Sequence, residues 1–206
     1  PGSTGKIMTL AAALEEKKIT PETVFSVPYS LKRGGDTFHD HERHPVQRLT
    51  TAGILAVSSN TGTIKIGETL SNDKLHEYLT KFGIGVSTGS GLPGESAGLL
   101  RPVSNWSGTT APTVAFGQGY SVTAMQATSV FATIANDGVR VSPTVIAGTS
   151  DSSGNYTPSA TRESVRVISA DTAAKMRLMM ESVVSANGTA PSAAIPGYRV
   201  AGKTGT

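Results

Sequence analysis

The stretch STGKIMTLAAALEEKK, residues 3–18, predicts a helix that begins with a hydroxyl and an amine. Apolar residues recur along it at helical spacing, namely Ile7, Leu10 and Leu14. Ser3 stands at the position of an N-cap residue. Because residues three apart share a helix face, the side chains of Ser3 and Lys6 are expected to meet. The start of this helix is therefore a candidate site of nucleophilic chemistry.

A serine and a lysine at this spacing can act as a nucleophile and its base. A serine hydroxyl is a weak nucleophile and needs a neighbouring group to take its proton. A lysine can take it when burial or nearby positive charge lowers its pKa from about 10.4 towards 7. The free backbone N–H groups of a helix N-terminus can stabilise a developing negative charge. An ordinary capped helix explains the same residues, so this motif by itself does not establish a catalytic site.

A second polar motif, Ser58-Ser59-Asn60, lies where one predicted helix ends and the next begins. Ser58 can pass a proton at such a junction. The amide of Asn60 can donate a hydrogen bond to a substrate carbonyl and accept one from a lysine. A polar junction between two helices is the alternative explanation.

A third motif, Lys203-Thr204-Gly205, lies in the segment GYRVAGKTGT, residues 197–206, whose alternating residues predict a strand. The lysine and the threonine hydroxyl can hold a carboxylate, and the glycine lets a substrate backbone lie close. A plain strand end is the alternative here.

Residues 197–204 also match the phosphate-loop pattern G-x-x-x-x-G-K-[ST]. A phosphate loop needs a strand, a flexible loop and then a helix whose N-terminus faces the phosphates. The residues between the two glycines resemble a strand, and Gly205 is a poor residue to begin a helix. An ATPase is therefore the disfavoured alternative.

The segment HDHERH, residues 39–44, resembles a metal site because it places His39, His41 and His44 beside Asp40 and Glu42. Alternating ligands in a loop define no tetrahedral geometry. A solvated loop is the favoured interpretation, and no metal is expected.

The composition describes a globular chain with many turns. The 206 residues include 37% hydrophobic and 16% charged residues, with 23 Gly and 11 Pro. The net charge is +3 without a basic stripe interleaved with aromatics, so no nucleic acid partner is expected. The absence of cysteine excludes disulfides, thiolate metal sites and a Cys nucleophile. No signal peptide and no apolar run long enough to span a membrane is present, and we expect a piece of a longer protein.

The periodicity predicts an α+β class. Helices are expected over 46–57, 61–70, 72–83, 121–138 and 169–184, in addition to the first one. Extended segments are expected at 23–41, as a hairpin around Gly34-Gly35, and at 139–148, 164–169 and 197–206. Residues 83–119 are expected to be mostly loop.

The three motifs in this order occur together in β-lactamases and penicillin-binding proteins. Longer stretches resemble the transpeptidase domain of class B penicillin-binding proteins, in particular the division-type enzymes of septal peptidoglycan synthesis. They are PGSTGKIMTLAAALEEKKITP, VSSNTGTIKIG, KFGIGVSTGSGLPGESAGLLRP, FGQGYSVTAMQATSVFATIANDGV and IPGYRVAGKTGT. The resemblance implies the fold shared with serine β-lactamases, a helical subdomain plus an antiparallel sheet. Residues 1–206 would form a partial domain, truncated at both ends and with an incomplete sheet, from the Ser-x-x-Lys helix to the Lys-Thr-Gly strand.

The resemblance also implies a role for each motif residue. Ser3 would attack the penultimate D-alanine carbonyl of a D-Ala-D-Ala stem peptide, with Lys6 as general base. Ser58 would relay the proton to the leaving D-alanine, and Asn60 would position Lys6 and the substrate amide. The terminal carboxylate would be bound by Lys203, Thr204, Gly205 and Thr206.

The implied activity is a serine D,D-transpeptidase that cross-links peptidoglycan and is acylated by β-lactams. The backbone N–H groups of Ser3 and Thr206 would form its oxyanion hole, and no cofactor is implied. The full-length protein would act at the extracytoplasmic face of the cytoplasmic membrane, with septal division proteins as further partners. A serine β-lactamase, a D,D-carboxypeptidase and a catalytically incompetent fragment are the alternatives. A β-lactamase is disfavoured because SSN replaces the SDN of one such class.

Overall fold

The helix predicted near the start of the chain is the centre of the computed structural model, which describes residues 1–159 and 162–205. A 3-10 turn, Gly2–Gly5, leads into α1, Lys6–Glu15, and every residue from Lys6 to Leu14 is buried. A helix that is covered on all sides belongs to the core of a domain. The predicted N-cap is wrong: Ser3 lies inside the 3-10 turn and Gly5 caps α1 without a side chain. The hydroxyl of Ser3 is therefore not engaged in capping.

Six further helices surround α1 in the described residues. They are α2, Thr51–Ala56; α3, Asn60–Gly67; α4, Asn72–Lys81; α5, Thr110–Ala115; α6, Ala124–Ala135; and α7, Ala170–Val184. Helices α3, α4 and α7 pack directly on α1, and α2 packs on α7. One contiguous cluster of buried apolar side chains joins these contacts. Hydroxyl side chains accept backbone hydrogen bonds at five helix starts: Thr50, Ser59, Ser71, Thr123 and Ser169.

Eight short strands pair in antiparallel twos within the described residues. They are β1, Val24–Val27; β2, Ser30–Arg33; β3, Asp36–His39; β4, Gln47–Thr50; β5, Val139–Val141; β6, Gly148–Ser150; β7, Tyr156–Pro158; and β8, Ser164–Arg166. The pairs are β1–β4, β2–β3, β5–β8 and β6–β7. Gly34 and Gly35 have φ angles of 55° and 95° at the turn of the predicted β2–β3 hairpin, a conformation that glycine adopts without strain. Helices with small antiparallel sheets confirm the α+β class.

Two predicted elements differ in the structure. Residues 47–50 form β4 and pair with β1, with Leu49 opposite Phe25, so the helix begins only at Thr51. Local periodicity predicted a helix for this segment, but pairing with a distant strand makes it extended. The described part of the predicted strand at 197–206 has no ladder partner. It runs beside α7 instead, where Gly202 N donates to Met180 O at 3.3 Å.

The loop predicted at 83–119 holds a 3-10 turn, Val103–Asn105, besides α5. Across the residues that the structure describes, no helix is long and apolar enough to cross a membrane.

Candidate active site

The three sequence motifs meet at the hydroxyl of Ser58. Lys6 Nζ donates to Ser58 Oγ at 3.1 Å, and Lys203 Nζ donates to the same oxygen at 2.8 Å. Lys6 Nζ also lies 3.1 Å from Ser3 Oγ. The chain thus brings Ser3, Lys6, Ser58 and Lys203 from three distant segments into one hydrogen-bonded group.

Lys6 is a fully buried amine, with 0% of its surface exposed. Burial lowers the pKa of Lys6 to about 7, the nearby charge of Lys203 lowers it as well, and the charge of Asp40 opposes both. Burial also lowers the pKa of Lys203 to about 8. Near neutral pH a large fraction of Lys6 is therefore an uncharged amine beside a serine hydroxyl, which is the state that a general base requires.

The turn between α2 and α3 places the backbone of Ser58 against Lys6. Ser58 has a φ of 59°, in the left-handed region that non-glycine residues rarely adopt. Its carbonyl oxygen accepts a hydrogen bond from Lys6 Nζ at 2.5 Å, so both oxygens of Ser58 bind one amine. Such strained conformations cost about 1–3 kcal/mol and are concentrated at functional sites.

The strain at Ser58 can be measured with a pair of substitutions. Both Ser58→Ala and Ser58→Gly remove the hydroxyl, but glycine adopts the left-handed conformation without a Cβ clash. We expect the Ser58→Gly protein to be more stable than the Ser58→Ala protein by about 1 kcal/mol in urea unfolding. At Ser129, inside α6, the same two substitutions should rank in the opposite order because glycine weakens a helix interior. An equal or greater stability of Ser58→Ala would contradict the strain.

A buried carboxylate to which the sequence analysis assigned no role in this site lies behind the turn. Asp40 Oδ2 accepts a hydrogen bond from Ser59 Oγ at 2.6 Å, and Asp40 Oδ1 accepts one from Thr61 N at 2.9 Å. The sequence interpretation placed Asp40 in a solvated loop, which is wrong, since only 9% of the residue is exposed. The polar run from Ser58 to Thr61 was visible in the sequence, but its partner some twenty residues earlier was not.

The histidines of the same segment contact neighbouring side chains. His44 Nε2 lies 3.0 Å from Asp40 Oδ2, and the rings of His39 and His44 pack on Tyr29. Among the described residues, no group of three or more His, Cys, Asp or Glu side chains is placed to hold a metal ion.

Asn60 is the first residue of α3 and faces the β2–β3 hairpin. Its Nδ2 donates to the carbonyl oxygen of His39 at 2.9 Å. The hydrogen-bond partners of Lys6 Nζ are Ser3 and Ser58 in the part of the chain that the structure describes. The predicted contact between Asn60 and Lys6 is therefore not among the observed ones.

The third motif lies beside the hydrogen-bonded group of Ser3, Lys6 and Ser58. Lys203 Nζ donates to Thr204 Oγ1 at 3.1 Å, and Thr189 Oγ1 lies 2.8 Å from that oxygen. A Cβ atom on Gly205 would lie 3.2 Å from Thr4 Cγ2, so this glycine passes close to the turn that carries the nucleophile candidate. Thr206 lies outside the described residues. Its backbone N–H is one of the two donors predicted for the oxyanion hole.

The environment of Lys203 does not resemble a phosphate loop. A 3-10 turn, Pro191–Ala193, precedes the motif, and no strand leads into it within residues 191–205. The amine of Lys203 donates to Ser58 Oγ at 2.8 Å and to the carbonyl oxygen of the adjacent Thr204 at 3.1 Å. The architecture that a phosphate loop requires is missing from the described residues.

Comparison with known proteins agrees with this geometry. Residues 1–206 match the family described as "Penicillin binding protein transpeptidase domain". Penicillin-binding protein PbpB of Mycobacterium tuberculosis is 43% identical over 212 residues, which cover 100% of this chain and 31% of that protein. Peptidoglycan D,D-transpeptidase FtsI of Escherichia coli is 34% identical over 214 residues, covering 100% of this chain and 33% of that protein. The chain thus spans about a third of the length of these curated relatives.

Solved structures show the same arrangement of the backbone. The crystal structure of penicillin binding protein 3 from Mycobacterium tuberculosis, complexed with aztreonam, superimposes with a TM-score of 0.97 at 43% identity. The match covers 100% of this chain and 47% of that one. A structure of the same protein complexed with ampicillin gives the same values.

Proposed function

The chain belongs to the penicillin-binding protein transpeptidase family, and from this premise we propose that it carries the active site of a serine D,D-transpeptidase. The proposed reaction cross-links peptidoglycan stem peptides that end in D-Ala-D-Ala. The observation that carries the proposal is the hydrogen bond between Lys6 Nζ and Ser3 Oγ, made by a buried amine whose pKa lies near 7. The name of the FtsI relative, peptidoglycan D,D-transpeptidase, supports it.

Acylation is the first half of the proposed reaction. Ser3 Oγ attacks the carbonyl carbon of the penultimate D-alanine while Lys6 Nζ takes the hydroxyl proton. The amide C–N bond then breaks, and the proton passes from Lys6 through the Ser58 hydroxyl to the leaving D-alanine nitrogen. The 3.1 Å distance between Lys6 Nζ and Ser58 Oγ suits this transfer. The product is an ester between Ser3 and the donor stem peptide.

Deacylation forms the cross-link. An amine of a second stem peptide attacks the ester carbonyl and loses a proton to Lys6, which returns the proton to Ser3 Oγ. The nucleophile is regenerated and a new peptide bond joins the two strands. With a β-lactam, Ser3 Oγ attacks the carbonyl carbon of the strained ring amide and the ring opens. The leaving nitrogen stays covalently attached to the acyl group, and a long-lived acyl-enzyme results.

The cationic third motif supports recognition of the substrate carboxylate. Lys203 keeps a positive charge beside Ser58 below about pH 8, and the hydroxyl of Thr204 lies 3.1 Å from its amine. A carboxylate bound by these groups would compete for the Lys203 contact with Ser58 and would add negative charge near Lys6. We propose that Gly205 and Thr206 complete this subsite, and that Asn60 holds the donor amide.

The cellular setting follows from the proposed substrate. Peptidoglycan lies outside the cytoplasmic membrane, so we propose that the site works on the extracytoplasmic face. FtsI and stage V sporulation protein D are among the relatives, the latter 37% identical over 224 residues. We propose a role in septal wall synthesis with division proteins as partners.

Penicillin labelling tests the proposal directly. The intact mass of the protein after exposure to benzylpenicillin should rise by one drug molecule, with the adduct mapped to the peptide that contains Ser3. The Ser3→Ala protein should remain unlabelled, while Ser87→Ala, which changes an exposed loop serine, should label as the parent does. Retention of the adduct for hours supports the transpeptidase, whereas fast release of hydrolysed penicillin would indicate the β-lactamase alternative. A folded parent protein that acquires no adduct would indicate an incompetent chain.

A D,D-carboxypeptidase would label in the same way and needs a second measurement. With a D-Ala-D-Ala peptide as donor, release of D-alanine that is matched by transfer to a D-amino acid acceptor supports the transpeptidase. Release to water alone, at saturating acceptor, would favour the carboxypeptidase.

A further inference from the structure

The carboxylate of Asp40 is a buried charge outside the proposed catalytic group, and four polar atoms lie within hydrogen-bond distance of it. It accepts hydrogen bonds from Ser59 Oγ at 2.6 Å, Thr61 N at 2.9 Å and Thr61 Oγ1 at 3.3 Å, and His44 Nε2 lies 3.0 Å away. The residue is 9% exposed and has its own backbone N–H bound to Tyr29 O at 3.0 Å. This carboxylate therefore joins the β2–β3 hairpin to the first turn of α3.

The contacts of Asp40 converge on the residues that hold Ser58. Ser59, which donates to Asp40, follows Ser58 and caps α3 through Gly62 N at 2.9 Å. Ser58 itself has a strained left-handed backbone, which persists only where its surroundings hold it. The carboxylate fixes the residue immediately after the strained one, and the Ser58 carbonyl then reaches Lys6 at 2.5 Å.

Asp40 also acts on Lys6 through its charge. Two charges of opposite sign act on the Lys6 amine, and they shift its pKa in opposite directions: the ammonium of Lys203 lowers it and the carboxylate of Asp40 raises it. Asp40 in turn faces His44, whose pKa is raised by hydrogen bonds with the Pro45 carbonyl and with Asp40. Arg43 is further out, with its guanidinium 5.7 Å from the Tyr29 ring.

We propose that Asp40 is a positioning residue for the acylation step, which holds the Ser58 turn against Lys6 and supplies the negative charge that offsets Lys203. This inference rests on the proposed function. Among the described contacts the Asp40 carboxylate bonds to His44, Ser59 and Thr61 and not to Ser3, so it acts through Ser59 and through its charge on Lys6. The negative charge of Asp40 stabilises the ammonium that Lys6 becomes when it takes the proton of Ser3, so Lys6 can hold this proton until it passes to the leaving amine.

Three variants separate the two roles of Asp40. Asp40→Asn keeps the shape and removes the charge, and Asp171→Asn removes an exposed charge on α7 as a control. Ser59→Ala keeps the charge and removes the hydroxyl that joins Asp40 to the cap of α3. NMR titration of the full chain labelled with 13C at lysine Cε reports the Lys6 midpoint without any substrate. Stopped-flow acylation by a chromogenic cephalosporin between pH 5.5 and 9 reports the rate.

The expected results differ for each variant. Asp40→Asn should lower the Lys6 titration midpoint, and the acidic limb of the acylation profile with it, by about half a pH unit or more. Ser59→Ala should leave the midpoint in place and lower the plateau rate about tenfold or more, because the Ser58 turn loses its support. Asp171→Asn should change neither quantity.

Each outcome decides a separate question. An unchanged Lys6 midpoint in Asp40→Asn, by NMR, overturns the electrostatic part of the proposal whether or not the protein acylates. An unchanged plateau in Ser59→Ala overturns the positional part. A parent protein that titrates as expected but never acylates would refute the proposed function and leave the charge coupling of Asp40 and Lys6 standing.

Discussion

Replacement of Lys6 by methionine is expected to slow the acylation of Ser3 by penicillin about a thousandfold, within the range that a positioned general base contributes. Methionine fills the same buried space with an apolar side chain that cannot take a proton. Lys6 is the amine within hydrogen-bond distance of Ser3 Oγ, whereas Lys203 reaches Ser58 and not Ser3 in the described contacts. The time course of the adduct mass at a fixed penicillin concentration measures the rate.

Lys18→Met is the matched control for this experiment. Lys18 is an exposed lysine just after α1, so its replacement makes the same chemical change on the same segment. Its acylation rate should equal that of the parent. A Lys6→Met protein that acylates at the parent rate would show that another group activates Ser3 and would remove the base from the proposed mechanism.

The sequence predicted which polar side chains meet better than it predicted the backbone elements that carry them. Ser3, Lys6, Ser58 and Lys203 were all selected from motifs, and the structure brings all four together. Their joint appearance carried that prediction, because each motif alone also fitted a plain structural explanation. Their proposed roles remain predictions until labelling and kinetics test them.

Features that depend on contacts between distant parts of the chain could not be predicted from local sequence patterns. The strand Gln47–Thr50 exists because it pairs with Val24–Val27, and no local pattern shows that partner. Asp40 stood in a histidine-rich segment whose composition favours a solvated loop, while its hydrogen bonds reach Ser59 and Thr61. The left-handed backbone of Ser58 carries no local signal either, since serine seldom adopts it.

The other prediction with a large effect concerns stability, which should rise with pH because Lys6 is buried. The pKa of Lys6 is about 7 in the folded protein and close to the ordinary lysine value of 10.5 in the unfolded chain. Between these values the unfolded state binds more protons than the folded state, so the free energy of unfolding increases with pH. Across pH 7 to 9.5 the increase from Lys6 is about 3 kcal/mol, and below pH 7 this stabilisation is absent.

The Lys6→Met protein isolates this contribution. Relative to that of the parent, its free energy of unfolding should be highest near pH 6.5, where the parent carries the cost of a buried charged amine. The difference should shrink steadily towards pH 9.5 as the parent loses the cost of protonating Lys6. Urea unfolding at closely spaced pH values measures both curves. The range must stop below about pH 10, because Tyr78 and Tyr120 have raised pKa values and ionise first in the unfolded chain, which reverses the sign.

The test is how the difference in free energy of unfolding between Lys6→Met and the parent changes with pH, and the absolute size of that difference is not informative. Lys6→Met also removes three hydrogen bonds, two of them to the oxygens of Ser58, which shifts its whole curve downwards by an amount that does not depend on pH. Lys203 titrates in both proteins, so its contribution largely cancels, apart from the repulsion that Lys6 no longer exerts. Two parallel curves would mean that Lys6 has an ordinary pKa in the folded protein, and the buried neutral amine would then be lost as the base for Ser3. If the free energy of unfolding of Lys6→Met falls relative to that of the parent as the pH rises, the amine of Lys6 is buried with a lowered pKa. The folded protein is then less stable at neutral pH because it buries this amine.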